Sequence, residues 1–178
     1  MNRKIRWITE TGLMLAMLVA VQGITAGFGN QYITGSCVNL ILAVTSLVVG
    51  LWGGVVVAGV SPFLASVFGI GPKFLQLLPG VAAGNLVFVM VLHFLVGNGR
   101  TDIRRIAGTV AAAAAKFVTL YLVVVKLIVA GLVDGGIIPV KASVLLSAQF
   151  SWPQLITALI GGSLSLAIVP VLKKALKK

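Results

Sequence analysis

Two lysines, Lys116 and Lys126, lie inside one long apolar stretch of this 178-residue chain, and no acidic residue shares that stretch. If the stretch is helical, a rotation of 100° per residue puts both lysines and Thr119 within about 80° of one another. A buried ammonium requires an anion, a set of hydrogen-bond acceptors or deprotonation. Because the sequence supplies no counter-ion, we predict that a bound solute pairs with these lysines.

Structural interpretations of the same residues stay open. Lys126 lies in the outer half of the stretch, so its side chain could extend to the lipid headgroups. Lys116 lies near mid-depth, where exposed carbonyl groups could accept its hydrogen bonds. Asn85 lies at a similar depth in the preceding apolar stretch, and we include it among the candidate binding residues.

More polar and aromatic residues cluster near the start of the second and the sixth apolar stretches. Each alone is explained by ordinary loop chemistry or by an interfacial aromatic belt. As a group on one side of a membrane, they suit a lid over a small molecule. The group consists of Asn30, Gln31, Tyr32, Thr34, Asn39, Gln149, Trp152 and Gln154. Of these, the candidate binding residues are Gln31, Tyr32, Asn39, Gln149 and Trp152.

The composition is that of a protein whose solvent is a lipid bilayer. Hydrophobic residues make up 59% of the chain and charged residues 10%, whereas a soluble domain carries roughly 25% charged residues. The basic, apolar beginning has the outline of a signal peptide, but the following 150 residues are about as apolar, so a first membrane helix is the better interpretation. We predict a single membrane domain over residues 1–178.

Six apolar stretches predict an all-α membrane protein with six transmembrane helices, since about 20 apolar residues span a bilayer. The stretches run from about 7–26, 37–50, 54–70, 75–96, 106–132 and 152–172. The second is short, so a half-spanning helix is possible there. Residues 27–36, 71–73 and 133–151 are predicted to form connections on the outer face.

The basic residues divide unevenly between the two faces that this topology defines. Only Lys73 and Lys141 fall on the outer face. The inner face carries Arg3, Lys4, Arg6, Arg100, Arg104, Arg105, Lys173, Lys174, Lys177 and Lys178. The positive-inside rule therefore predicts a multi-pass membrane protein with both termini cytoplasmic.

The sequence contains few residues of the types that carry out catalysis. It contains one histidine, three acidic residues and one cysteine, and no phosphate-cradling GxxxxGK[ST] motif. We therefore expect no enzyme activity, no metal and no cofactor, and an intramembrane enzyme is the third-ranked interpretation. The net charge of +11 would suit nucleic acid in a soluble protein, but no soluble basic face is available here.

The first apolar stretch carries small residues spaced by four, Gly12, Ala16 and Ala20. Such a stripe lets another helix approach closely. Packing within the chain and docking of a partner protein both explain the pattern.

These features together resemble the substrate-binding S component of an energy-coupling factor (ECF) vitamin transporter, over essentially the whole chain. The resemblance rests on six helices in under 200 residues, a basic C-terminus and a first outer loop that looks mobile. Its sequence motifs are Ala16-xxx-Ala20, Thr34-Gly-Ser-Cys-Val-Asn39, Gly84-Asn85 and the alanine-rich run into Lys116-Phe117.

The resemblance implies a location in a prokaryotic plasma membrane and a mechanism of uptake. S components capture a scarce micronutrient from outside, dock on a transmembrane coupling protein with two cytoplasmic ATPases, and topple to release the substrate inside. It implies that Ala16 and Ala20, with Gly12 in the same stripe, pack on the coupling protein. It also implies a binding site in the outer half, built from the first outer loop and helices four to six.

The resemblance does not specify the solute. Metal-binding members use an N-terminal ligand set with a histidine, which this chain lacks. The unpaired lysines favour a small, vitamin-like organic solute with an anionic group. The alternative is a structural or scaffolding membrane protein without transport activity, because the loops are short and small residues are abundant.

Overall fold

The computed structural model describes residues 2–72, 74–97 and 101–176, and these residues form helices with no β-strand. In chain order the helices are α1 (Arg3–Ala26), α2 (Gln31–Val49), α3 (Leu51–Val67), α4 (Leu75–Val96), α5 (Asp102–Asp134), α6 (Val140–Gln149) and α7 (Trp152–Ala175). Within these described ranges, five helical segments are long and apolar enough to cross a membrane, namely α1, α2, α4, α5 and the α6–α7 segment, while the apolar α3 has 17 residues. An all-helical fold compatible with a membrane protein is therefore confirmed.

The second helix begins earlier than the sequence predicted. Residues 27–36 were predicted to be a loop, but α2 starts at Gln31 and runs for 19 residues to Val49. Asn30 caps it, since the Asn30 Oδ1 accepts a hydrogen bond of 2.9 Å from the backbone N–H of Tyr32. The second helix is therefore longer than the apolar stretch alone suggested, because polar residues of the predicted loop form its first turns.

Two further details were not predicted. The connection over 133–151 contains its own helix, α6. In addition, α2 ends in a π-helical segment, Thr45–Val49, and α5 contains a longer one, Tyr121–Val129. A π segment widens the helical turn and changes which side chains share a face.

Glycines allow the central helices to approach closely. A Cβ on Gly161 of α7 would lie 2.6 Å from the backbone oxygen of Ser36 in α2, and one on Gly84 of α4 would lie 2.6 Å from the Leu120 side chain in α5. These contacts bring α2 against α7 and α4 against α5. Residues with fully buried side chains, such as Phe88 and Leu42, fill the space between the helices.

Four basic residues used in the charge count, Lys73, Arg100, Lys177 and Lys178, lie outside the described residues. The described basic residues of the predicted inner face lie at the start of α1, at the start of α5 and at the end of α7. The orientation of the chain in a membrane remains a prediction.

Candidate functional site

Lys116 is the central residue of the candidate site. Its side chain comes from the middle of α5, and the residue is only 3% exposed. The ammonium Nζ donates hydrogen bonds of 2.6 Å to Asn39 Oδ1 of α2 and 2.7 Å to Asn85 Oδ1 of α4. Three helices thus meet at one charged group, and the face of Phe88 lies 5.6 Å from Nζ.

Neighbouring groups orient the Asn39 amide towards the lysine. Its Nδ2 donates to the backbone oxygen of Gly35 at 2.9 Å and to Thr157 Oγ1 of α7 at 3.3 Å. With the nitrogen occupied, Oδ1 faces Lys116. The network therefore links α7 as well to the lysine.

The electrostatic balance at Lys116 is incomplete. Both of its described acceptors are neutral amide oxygens, and none of the described salt bridges includes it. An ammonium has three N–H donors, so two acceptors leave one N–H available. The positive charge of the ammonium is also not neutralised by these acceptors, because amide oxygens carry only partial negative charge.

A cavity of about 380 Å³ adjoins the ammonium, and we call it the Lys116 cavity. One ammonium, seven carboxamides and two hydroxyl groups line it, and the described lining contains no carboxylate. The polar lining residues are Gln22, Asn30, Gln31, Thr34, Asn39, Ser61, Asn85, Lys116, Gln149 and Gln154.

Five of the nine predicted binding residues line this cavity, namely Lys116, Asn85, Asn39, Gln31 and Gln149. Across the cavity mouth, Gln31 Nε2 donates a 2.9 Å hydrogen bond to the backbone oxygen of Gln149. Gln154 Nε2 donates to the same oxygen at 3.2 Å. These bonds join the beginning of α2 and the first turn of α7 to the last residue of α6.

The other four predicted residues, Lys126, Thr119, Tyr32 and Trp152, do not line the cavity. Lys126 is exposed and lies 5.6 Å from the Tyr121 ring centre. The Thr119 hydroxyl donates to the backbone oxygen of Ala115. Trp152 is 65% exposed and stacks on Phe117, and Tyr32 is 46% exposed.

The π segment explains why Lys116 and Lys126 diverge. The 100° rule assumes a regular α-helix, but Lys126 lies within Tyr121–Val129, where the turn is wider. The face shared by the two lysines in a regular helix is therefore not shared here.

Gln22 of α1 and Ser61 of α3 are lining residues that the sequence analysis missed. Gln22 Oε1 is buried and accepts no hydrogen bond from the described residues, so it is an unused acceptor. The sequence signal that pointed to Gln22 was a carboxamide side chain within an apolar helix. The described lining comes mainly from α1 to α4 and the loops beside them, rather than from helices four to six.

The small residues of α1 form a second surface. Gly12, Ala16 and Ala20 are exposed and line an apolar groove of about 610 Å³, with Leu64 and Phe68 among its other lining residues. A Cβ on Gly12 would meet no atom within 4 Å outside its own helical backbone. We call this surface the α1 groove. No described helix fills it.

Comparison of the chain with protein-family models, curated proteins and solved structures finds no match.

Proposed function

We propose that the chain is the membrane-embedded substrate-capture subunit of an ECF-type importer and binds a small, vitamin-like organic solute. The observation that carries the proposal is the Lys116 ammonium, which adjoins a cavity and has two neutral acceptors but no described anionic partner. An ionisable residue inside a membrane marks a functional site by default. The resemblance of the sequence to S components supports the same assignment.

The cavity lining favours a particular solute chemistry. A carboxylate or phosphate would accept the remaining N–H of Lys116 and neutralise its charge. The carboxamides offer donors and acceptors to hydroxyl or amide groups, and the buried Gln22 Oε1 would accept a hydrogen bond from such a group. Phe150 is the one aromatic residue in the described lining, so polar contacts outweigh ring stacking. We therefore favour a small anion that carries hydroxyl or amide groups.

Docking completes the proposed transport cycle. The α1 groove would receive the transmembrane coupling protein, which carries two cytoplasmic ATPases. The proposed orientation has both termini in the cytoplasm and the Lys116 cavity open to the outside. Energy for release then comes from the ATPases and not from this chain.

The direct test of solute capture is a thermal-shift panel of vitamins and their precursors on the purified chain. We expect stabilisation by at least one anionic, hydroxyl- or amide-bearing compound. Lys116→Ala should weaken binding of that compound by at least about tenfold, because the charge that pairs with its anionic group is lost. Lys126→Ala removes an exposed lysine from the same helix and should leave affinity unchanged.

Two results would count against solute capture. One is a panel that produces no thermal shift, and the other is wild-type affinity in a folded Lys116→Ala protein. Co-purification tests the alternative: a stable complex with envelope or division proteins, without ATPases, would favour a scaffolding role.

A further inference from the structure

A second cavity with positively charged walls lies at the other end of the helical bundle from the Lys116 cavity. Its volume is about 280 Å³, and we call it the Arg105 cavity. The ends of α2, α4 and α7 and the beginning of α5 enclose it. Its described lining consists of Leu47, Val96, Gly97, Arg105, Val169, Pro170 and Lys173.

The Arg105 side chain is 26% exposed, and the buried part of its guanidinium lacks an acceptor. Its Nε is buried and donates no hydrogen bond to a described group. Its Nη1 lies 3.9 Å from Asp102 Oδ1, which is too long for a hydrogen bond, and the Asp102 side chain is 97% exposed. A buried donor without an acceptor is costly, so the site is incomplete as it stands.

A second cation lies beside the unpaired Arg105 donor. Lys173 is half-buried and lines the same cavity, whose described lining includes no acidic residue. Two cations beside an unused Nε–H favour an oxyanion with several acceptor oxygens. A phosphate group meets this requirement, since arginine binds it through paired N–H donors and lysine as a point charge.

We propose that the Arg105 cavity binds a phosphate group, supplied either by an anionic phospholipid or by free phosphate. The apolar part of the lining, including Leu47, Val96 and Val169, provides contacts for the glycerol and acyl carbons of a lipid. The cavity also lies on the predicted inner face, where anionic lipids attract basic residues. This site is separate from the Lys116 cavity and does not depend on the proposed transport function.

Binding of an anionic lipid could also arise from general attraction to the basic residues on this face of the bundle. The chain contains matched control residues that separate this explanation from binding in the cavity. Arg104 adjoins Arg105, and Lys174 adjoins Lys173. Both neighbours are exposed and neither lines the cavity. Each pair therefore compares the same loss of charge inside and outside the cavity.

The experiment uses the full chain purified in a neutral detergent, as wild type and as Arg105→Gln, Lys173→Gln, Arg104→Gln and Lys174→Gln. Each protein is titrated with phosphatidylglycerol, with diacylglycerol of the same chain length and with inorganic phosphate, and binding is followed by native mass spectrometry and thermal shift. Arg105→Gln and Lys173→Gln should each weaken phosphate-dependent binding roughly fivefold, because each loses a contact with the phosphate inside the cavity, whereas the control variants should leave binding nearly unchanged.

The ligands separate the possible sources. Cavity-dependent binding of phosphatidylglycerol alone assigns the phosphate to a lipid, and the same dependence with inorganic phosphate assigns it to the free ion. Equal weakening in all four variants, tight binding of diacylglycerol, or no binding of either phosphate compound would overturn the proposal. If Arg105→Gln fails to fold, the comparison of Lys173 with Lys174 still decides it.

Discussion

Lys116 is accommodated in an apolar interior because Asn39 and Asn85 replace part of the hydration that its ammonium loses there. The cost of a lysine at the centre of a membrane helix is about 2.5–3.5 kcal/mol on insertion scales. Two neutral oxygens lower this cost without cancelling the charge. The proposed site can therefore stay folded while empty and still attract an anion.

Asn85→Asp tests whether the missing negative charge matters. The substitution keeps the side-chain shape but places a carboxylate at a position now 2.7 Å from the Lys116 Nζ. We expect the affinity for the anionic solute to fall by at least about tenfold, because the lysine is already paired and the new charge repels the ligand.

Isothermal titration of wild type and variant with the anionic solute and a neutral amide analogue measures this effect. The variant should discriminate against the anion much more than against the amide. Equal losses for both compounds would show that Asn85 acts through shape, and undiminished binding of the anion would contradict the charge argument.

At the scale of helices, the site depends on how closely α2 and α7 pack. Asn39 on α2 reaches Thr157 on α7 only because Gly161 lets the two backbones approach. Gly161→Ala would place a Cβ 2.6 Å from the nitrogen of Leu40 and the oxygen of Ser36. We expect a loss of about 1–3 kcal/mol in stability, as for other overpacked interiors.

Thermal unfolding of the purified proteins measures this loss, with Gly12→Ala as the control. A Cβ at Gly12 meets no neighbour, and alanine is the better helix former, so the control should be as stable as wild type or slightly more so. Wild-type stability of Gly161→Ala would mean that the α2–α7 contact is looser than described.

Helix-level features also show where sequence reasoning succeeded and failed. Apolar length was sufficient to find the membrane-compatible helices, and the two mid-depth polar residues singled out in the sequence, Lys116 and Asn85, lie in contact. The start of α2 was missed because Gln31, Thr34 and Gly35 are individually poor indicators of a helix, although Asn30 caps it. The sequence left open whether Lys126 faces a solute or the lipid headgroups, because a π segment depends on tertiary packing and has no periodic signature in sequence.

At the scale of the whole molecule, the Lys116 cavity and the α1 groove are separate surfaces that meet only near Ile70, which lines both. Binding and docking should therefore be separable by mutation. The sequence identified the small-residue stripe but could not decide between packing within the chain and docking. The groove is open among the described helices, which favours docking.

Ala16→Trp or Ala20→Trp should abolish uptake into cells while leaving solute affinity intact, because a large ring blocks the α1 groove without reaching Lys116. Leu13→Trp is the control: Leu13 is 66% exposed on the same helix but does not line the groove. Radiolabelled uptake and ligand titration are measured in parallel. Uptake at the wild-type rate in both groove variants would show that the small-residue stripe is not required for transport.

The all-amide surroundings of Lys116 also bear on competition from common salts. A fixed ammonium repels sodium and potassium ions. Because the described lining of the Lys116 cavity lacks a carboxylate, exchanging sodium for potassium at a constant chloride concentration should leave solute affinity unaltered.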